Sequence, residues 1–175
     1  MRKIIAIVAC FGFTVSAILF ISSFFGTTME WSWSLRLPIV LHIGIFVLVA
    51  SAVVFERSTG IQPNESWKEF KRRSPDWAVY GIRLLGLFFG IIFVLFLVLS
   101  HFATPEIRNG DFILNNHGRI AAVLTESEYL ILKGWELRFF ASGWMFFYFF
   151  FTMYWWFLKN GAKKQFGQAN RIAKS

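Results

Sequence analysis

Three histidines are the residues of this chain best suited to chemistry. His42 and His101 fall near the ends of two long apolar stretches, and His117 sits in the run Asn115-Asn116-His117-Gly118. Imidazole titrates near neutral pH and ligates metals through either ring nitrogen. His42 and His101 at one depth in a membrane suit the two axial positions of a haem b with aromatic residues around the ring, or a quinone-associated redox subunit. The plainer reading is three separate histidines at a membrane surface. A metal site built from all three with Glu126 or Glu128 lacks tight ligand spacing. Ser142, in Ala141-Ser142-Gly143, shares a side of the membrane with His101, but no acid and no oxyanion motif completes a triad. Glu126 and Glu128 lie on different faces of a helix and serve its N-terminus better than paired acid–base work. Cys10 is the only cysteine, which excludes an internal disulfide and dithiol chemistry.

Four long uncharged stretches must position these residues. The chain has 175 residues, 56% of them hydrophobic, which rules out a soluble domain of ordinary composition. About 20 apolar residues in a helix cross the hydrocarbon core of a bilayer. The expected fold is an all-α membrane protein, a single bundle of four transmembrane helices with spans near residues 4–25, 37–55, 79–102 and 139–158. Residues 103–138 are expected outside the membrane as a small β-hairpin and a helical stalk, residues 56–77 as a basic loop, and residues 159–175 as a basic tail.

Local signals support that organisation. Phe112-Ile113-Leu114 and Ile120 to Leu124 flank an Asn/Gly turn, which predicts a hairpin. Thr125-Glu126-Ser127-Glu128 is a capping box. Nothing interrupts a helix from Glu126 to Leu158, roughly 50 Å long. Only about 30 Å fits in hydrocarbon, so its first turns form the stalk. In the basic loop, Asn64 is a candidate cap for a short helix carrying Trp67 and Phe70 beside Lys68, Lys71, Arg72 and Arg73, a pattern suited to anionic lipid. Trp31 and Trp33 suit the headgroup layer.

Charge fixes the expected orientation. The net charge is +8, and 13 of the 18 Lys and Arg residues fall on the side holding the termini and the 56–77 loop. This positive-inside asymmetry predicts cytoplasmic N and C termini. No basic, aromatic-interleaved soluble module exists to bind nucleic acid. Met1-Arg2-Lys3 before an apolar run resembles a signal peptide, but the run continues well past Cys10 and no small-x-small site follows, so an uncleaved first span is expected. No Asp, Glu or Lys is expected at midplane, which argues against an ion-coupled transporter.

The last span is extreme in composition. From Trp144 to Phe157, 11 of 14 residues are aromatic. Such a helix packs against small-residue faces only where they are grooved, and Gly12, Gly44, Gly86 and Gly90 are candidates for those grooves. The sharper alternative is a face presented to another membrane protein, an isoprenoid or a haem.

The run Asn115-Asn116-His117-Gly118, then Leu124 to Tyr129, then Glu136-Leu137-Arg138 resembles a group of small four-span bacterial inner-membrane proteins without an assigned activity. The similarity covers roughly the last third of the chain. It implies a multi-pass bacterial cytoplasmic (inner) membrane location and no particular reaction. The expected function is binding: an accessory or assembly subunit of a membrane complex, or an immunity-type protector against a membrane-acting toxin. The expected partners are the lipid bilayer and another membrane or periplasmic protein, with no cofactor. The expected contact residues are Asn116, His117, Arg119, Glu128, Tyr129 and Arg138 outside, with Trp144 and Phe147 in the membrane.

Overall fold

The structure is a computed structural model that describes residues 2–26, 36–59 and 63–157. Trp31, Trp33, the side chain of Asn64, Leu158 and the basic tail lie outside what is described. The chain forms α1 (Arg2–Ser22), extended by a 3-10 turn (Ser23–Phe25), then α2 (Leu37–Thr59), α3 (Pro63–Arg73) and α4 (Asp76–Leu99). Strands β1 (Thr104–Arg108), β2 (Asp111–Asn116) and β3 (Arg119–Val123) follow, and α5 (Glu126–Phe157) closes the order.

Three helical segments are long and apolar enough to cross a membrane: Lys3–Phe25, Leu37–Thr59 and Asp76–Leu99. Their outward faces are apolar, with Phe11, Phe46 and Leu84 each more than two-thirds exposed. A continuous surface of this kind is stable against hydrocarbon and not against water. Helix α5 has the length to span, but much of its apolar area comes from Trp and Tyr, which carry polar tips.

Helix α5 is the hub of the bundle. It packs along α1 and α4 and touches α2 and α3. Its Leu137, Ala141, Trp144, Tyr148, Phe151, Tyr154 and Trp155 are buried. A thick aromatic helix can sit centrally only if its neighbours yield room. The buried face of α1 is small, with Ala6, Ala9, Gly12 and Ser16 three or four residues apart. Cys10 lies off that stripe and is exposed. Gly81 and Gly86 of α4 face Phe149 and Phe146, and Gly143 of α5 admits Phe89. A methyl group at Gly90 would meet no neighbouring element within 4 Å, so no ring packs into it, while Gly81 is a groove that the sequence reading missed. Phe139 of α5 stacks on Phe96 at 5.3 Å and Phe89 at 5.8 Å, tying α4 to the hub through rings.

The module between α4 and α5 is a three-stranded antiparallel sheet in the order β1-β2-β3, where the sequence suggested a two-stranded hairpin. Both connections are two-residue turns with two consecutive positive φ angles: Asn109-Gly110 (55° and 92°) and His117-Gly118 (51° and 90°). These mirror-image turns match the right-handed twist of paired strands. Asn109-Gly110 is itself a strong hairpin signal, and it marks β1. Helix α2 also differs from expectation. It continues to Thr59 and so carries Glu56 inside a helix rather than in a loop.

Candidate functional site

The sheet sits on the first turns of α5 through β1 and β2. Ala103, Leu114 and Leu132 are buried together, with Leu124 against them. Tyr129 is buried, its ring 4.9 Å from that of Phe112. The capping box is realised: Glu128 Oε2 accepts from the Thr125 N–H and Oγ1, both at 2.8 Å, and the Glu128 N–H donates to Thr125 Oγ1 at 3.3 Å. These two bonds hold the Glu128 carboxyl below the usual carboxylate range. Glu128 therefore starts α5, and is exposed while doing so.

The two free edges of the sheet differ. In β1 the closing pair of the turn is Arg108↔Asp111, so alternation points the backbone nitrogen of Pro105 at the outer edge, where it has no N–H to offer, and Pro105 itself is fully buried. Strand β3 carries no proline, and all five of its residues are exposed. The Leu124 N–H donates inward to Phe112 at 2.8 Å, so by alternation the N–H and C=O of Val123 face outward. Ile120 and Val123 are 55% and 73% exposed. A bulge opposite Leu114/Asn115 twists the strand, which limits any added segment to a few residues.

The expected contact residues separate into surface and core. Asn116, His117 and Arg119 are exposed around the β2–β3 turn, next to the open edge. Asn115 shapes that turn: its Oδ1 accepts from the Gly118 N–H at 2.7 Å, and its Nδ2 donates to Glu106 at 2.9 Å. Phe147 is partly exposed. Tyr129 and Trp144 are each 2% exposed and are packing residues, not surface groups.

Arg138 is a clamp between distant parts of the chain. Its Nε donates to Ser23 Oγ at 3.2 Å and its Nη2 to the Ser23 carbonyl at 3.0 Å. The guanidinium carbon lies 4.4 Å from the Phe24 ring centroid and 4.8 Å from that of Trp135. A recess of about 390 Å³ lies beside it, lined by Phe24, Leu130, Ile131 and Gly134 among others. Lysine can neither span both Ser23 acceptors nor stack on both rings. Arg138→Lys is expected to lower the melting temperature in detergent, at a cost of about 1–2 kcal/mol, and a thermal unfolding scan checks it.

The three histidines sit on different elements. The His42 Nδ1 donates to the Pro38 carbonyl at 2.8 Å, and its ring stands edge-on to Trp144 at 5.3 Å and near Phe140 at 5.8 Å. His101 is exposed in the turn after α4, and His117 is exposed in the hairpin turn. Among the described residues, neither of the two recesses described here is lined by a histidine. Among the described residues no cluster of three metal-binding side chains forms. The Ser142 hydroxyl is buried and donates to the Phe139 carbonyl at 2.8 Å, a helix-backbone bond and not a nucleophile's setting.

The opposite end of the bundle holds a site that sequence reasoning missed. Phe70 of α3 is 1% exposed and packs on Phe150, so α3 is docked into the bundle through this ring. Glu69 pairs with Arg72 at 2.6 Å and with Arg73 along α3. The hydrogen bond from Arg72 is the main cause that lowers the Glu69 pKa. Beside α3, Glu56 Oε1 accepts from Ser66 Oγ at 2.5 Å and from the Tyr154 hydroxyl at 2.9 Å. A recess of about 280 Å³ opens there between α2, α3 and α5. The signal for it was Glu56 following an apolar stretch without interruption, one turn of helix beyond Ala52. Comparison with protein-family models, with curated proteins and with solved structures finds no match for this chain.

Proposed function

We propose that this chain is a multi-pass protein of a bacterial inner membrane that acts by protein–protein contact. In this reading α5 is the fourth span, both termini are cytoplasmic, and the sheet stands outside the membrane. The observation that carries it is the asymmetry of the sheet. Pro105 interrupts one edge, while β3 leaves the other open with every residue exposed. Open edges are aggregation hazards that folded proteins ordinarily block, so one edge left open beside a guarded one supports strand addition. The partner is an extended segment of another membrane or periplasmic protein, joining as a short fourth strand with an acidic residue near Arg119. An accessory subunit or a protector against a membrane-acting toxin would each work in this way.

Photocrosslinking tests the reading. A benzophenone side chain at Ile120 should give one discrete adduct in cells, and the same group at Ile107 on β1 should give none. Val123→Pro removes an outward N–H without touching the β2 ladder, and should cut the adduct about tenfold, the equivalent of ~1.4 kcal/mol. Equal adducts from both strands, or adducts that survive Val123→Pro, would refute edge pairing.

A further inference from the structure

The recess between α2, α3 and α5 holds a carboxylate that no cation among the described residues pairs with. Both hydrogen bonds to Glu56 fall on Oε1, and both donors are neutral hydroxyls. Among the described residues no ion pair reaches Glu56, whereas Glu69, Glu106 and Glu136 each have one. A carboxylate set among rings at the end of an apolar bundle has lost part of its hydration, and a positive charge is the natural replacement.

The surrounding side chains define which cation. Tyr154, Phe150 and Phe151 from α5 and the α2 side chains Val49 and Val53 line the recess beside Glu56. Among the described residues no lysine or arginine lines it. Aromatic faces attract a poorly hydrated cation carrying carbon substituents and offer little to a small, tightly hydrated metal ion. Trp67 is already committed: it stacks with Phe70 at 5.3 Å, and Lys71 Nζ lies 5.2 Å from its centroid. That contact holds an ammonium against the ring next in sequence to Ser66. The volume of about 280 Å³ lies near the small end of ligand pockets and suits a headgroup or a compact amine.

We propose that this recess binds an organic ammonium ion, with Glu56 as counter-charge and the Tyr154, Phe150 and Phe151 rings as the cage. Such a group has two sources, the headgroup of an aminophospholipid or a free amphipathic amine.

The test uses the full chain in phosphatidylglycerol nanodiscs, titrated calorimetrically with benzyltrimethylammonium. Saturable one-to-one binding is expected. Glu56→Gln keeps an acceptor oxygen for Ser66 and Tyr154 while removing the charge, and should weaken binding at least tenfold without lowering the melting temperature. Val53→Trp fills the recess from the α2 side, leaves Glu56 in place and should abolish binding. If neopentylbenzene, the neutral carbon isostere, binds as tightly as the ammonium, the recess is merely apolar and the proposal fails. It fails equally if Glu56→Gln binds like the parent. Repeating the titration with phosphatidylethanolamine in the discs separates the sources. A weaker apparent affinity identifies the lipid headgroup as occupant, and an unchanged one identifies a free amine.

Discussion

Replacing Gly12 with alanine should lower the melting temperature of the bundle sharply, and replacing Gly44 with alanine should do so reversibly. Both glycines border the ring of Tyr148, which is 3% exposed. Its hydroxyl donates 2.8 Å to the Leu41 carbonyl of α2, so the ring enters a slot between α1 and α2 and is pinned at its far end. A methyl group at Gly12 would overlap three carbons of the ring, while one at Gly44 would overlap the hydroxyl and approach the ring carbon behind it at 3.3 Å. Neither clash relaxes cheaply, because the ring cannot move without breaking its bond to Leu41. Overpacking of this kind costs about 1–3 kcal/mol per site. The two variants should respond differently to a second change. Tyr148→Phe alone loses one hydrogen bond, a cost of about 1 kcal/mol. It should nevertheless rescue Gly44→Ala, because it deletes the atom that the new methyl strikes. It should leave Gly12→Ala unrescued, because the ring carbons remain. Thermal unfolding of the parent, the three single variants and the two double mutants in one detergent measures both couplings. Equal rescue of both glycines would mean that the ring does not occupy this slot.

That slot shows where sequence reasoning reached its limit. Gly12 and Gly44 were legible as sites of close approach, since a glycine in an apolar helix exchanges stability for proximity. Which ring fills the space was not legible, because 11 of 14 consecutive residues on α5 are aromatic and pattern alone cannot rank them. The three apolar helices, the start of α5 and its length followed from apolar runs and the Thr125–Glu128 box. Strand β1 was missed because its signal is a turn, Asn109-Gly110, while its residues, Thr104-Pro105-Glu106-Ile107-Arg108, lack an apolar run. In sequence Glu56 reads as the start of a loop, because a carboxylate ends the apolar stretch. Only the α3 docking through Phe70 and the two hydroxyl bonds show why the helix carries it onward. Of the residues chosen as contacts, those around the β2–β3 turn lie on the surface, whereas Tyr129 and Trp144 serve the interior. Aromatics beside a small sheet look the same in sequence whether they recognise a partner or hold the sheet.

Tyr129 is accordingly the residue whose loss should separate presentation from recognition. The sheet has only a small interior of its own, Ala103, Leu114 and Leu132, and three short strands need such support to persist. Tyr129 adds the largest fully buried side chain of the module, stacked near Phe112 of β2 and covered on its flank by Lys133, whose Nζ lies 5.8 Å from the ring centroid. Lys133 is in turn paired with Glu136 at 2.9 Å, so the stalk surface beside the ring is ordered. Truncating a buried aromatic costs about 3–5 kcal/mol. Here that cost falls on the docking of the sheet to α5, not on the bundle, because the other large buried rings lie further along α5. Tyr129→Ala should therefore accelerate amide exchange across β2 by at least about a hundredfold while leaving the Tyr148 slot and the bundle melting temperature unchanged. Leu132→Ala, within the same cluster, should act in the same direction with a smaller effect. The crosslink from Ile120 should fall in both variants, because a strand edge that is not held in place cannot pair. Val123→Pro should lose the same crosslink with β2 exchange unaltered. Should Tyr129→Ala leave β2 protection intact, the sheet is held by something other than α5, and the stalk is no scaffold for it.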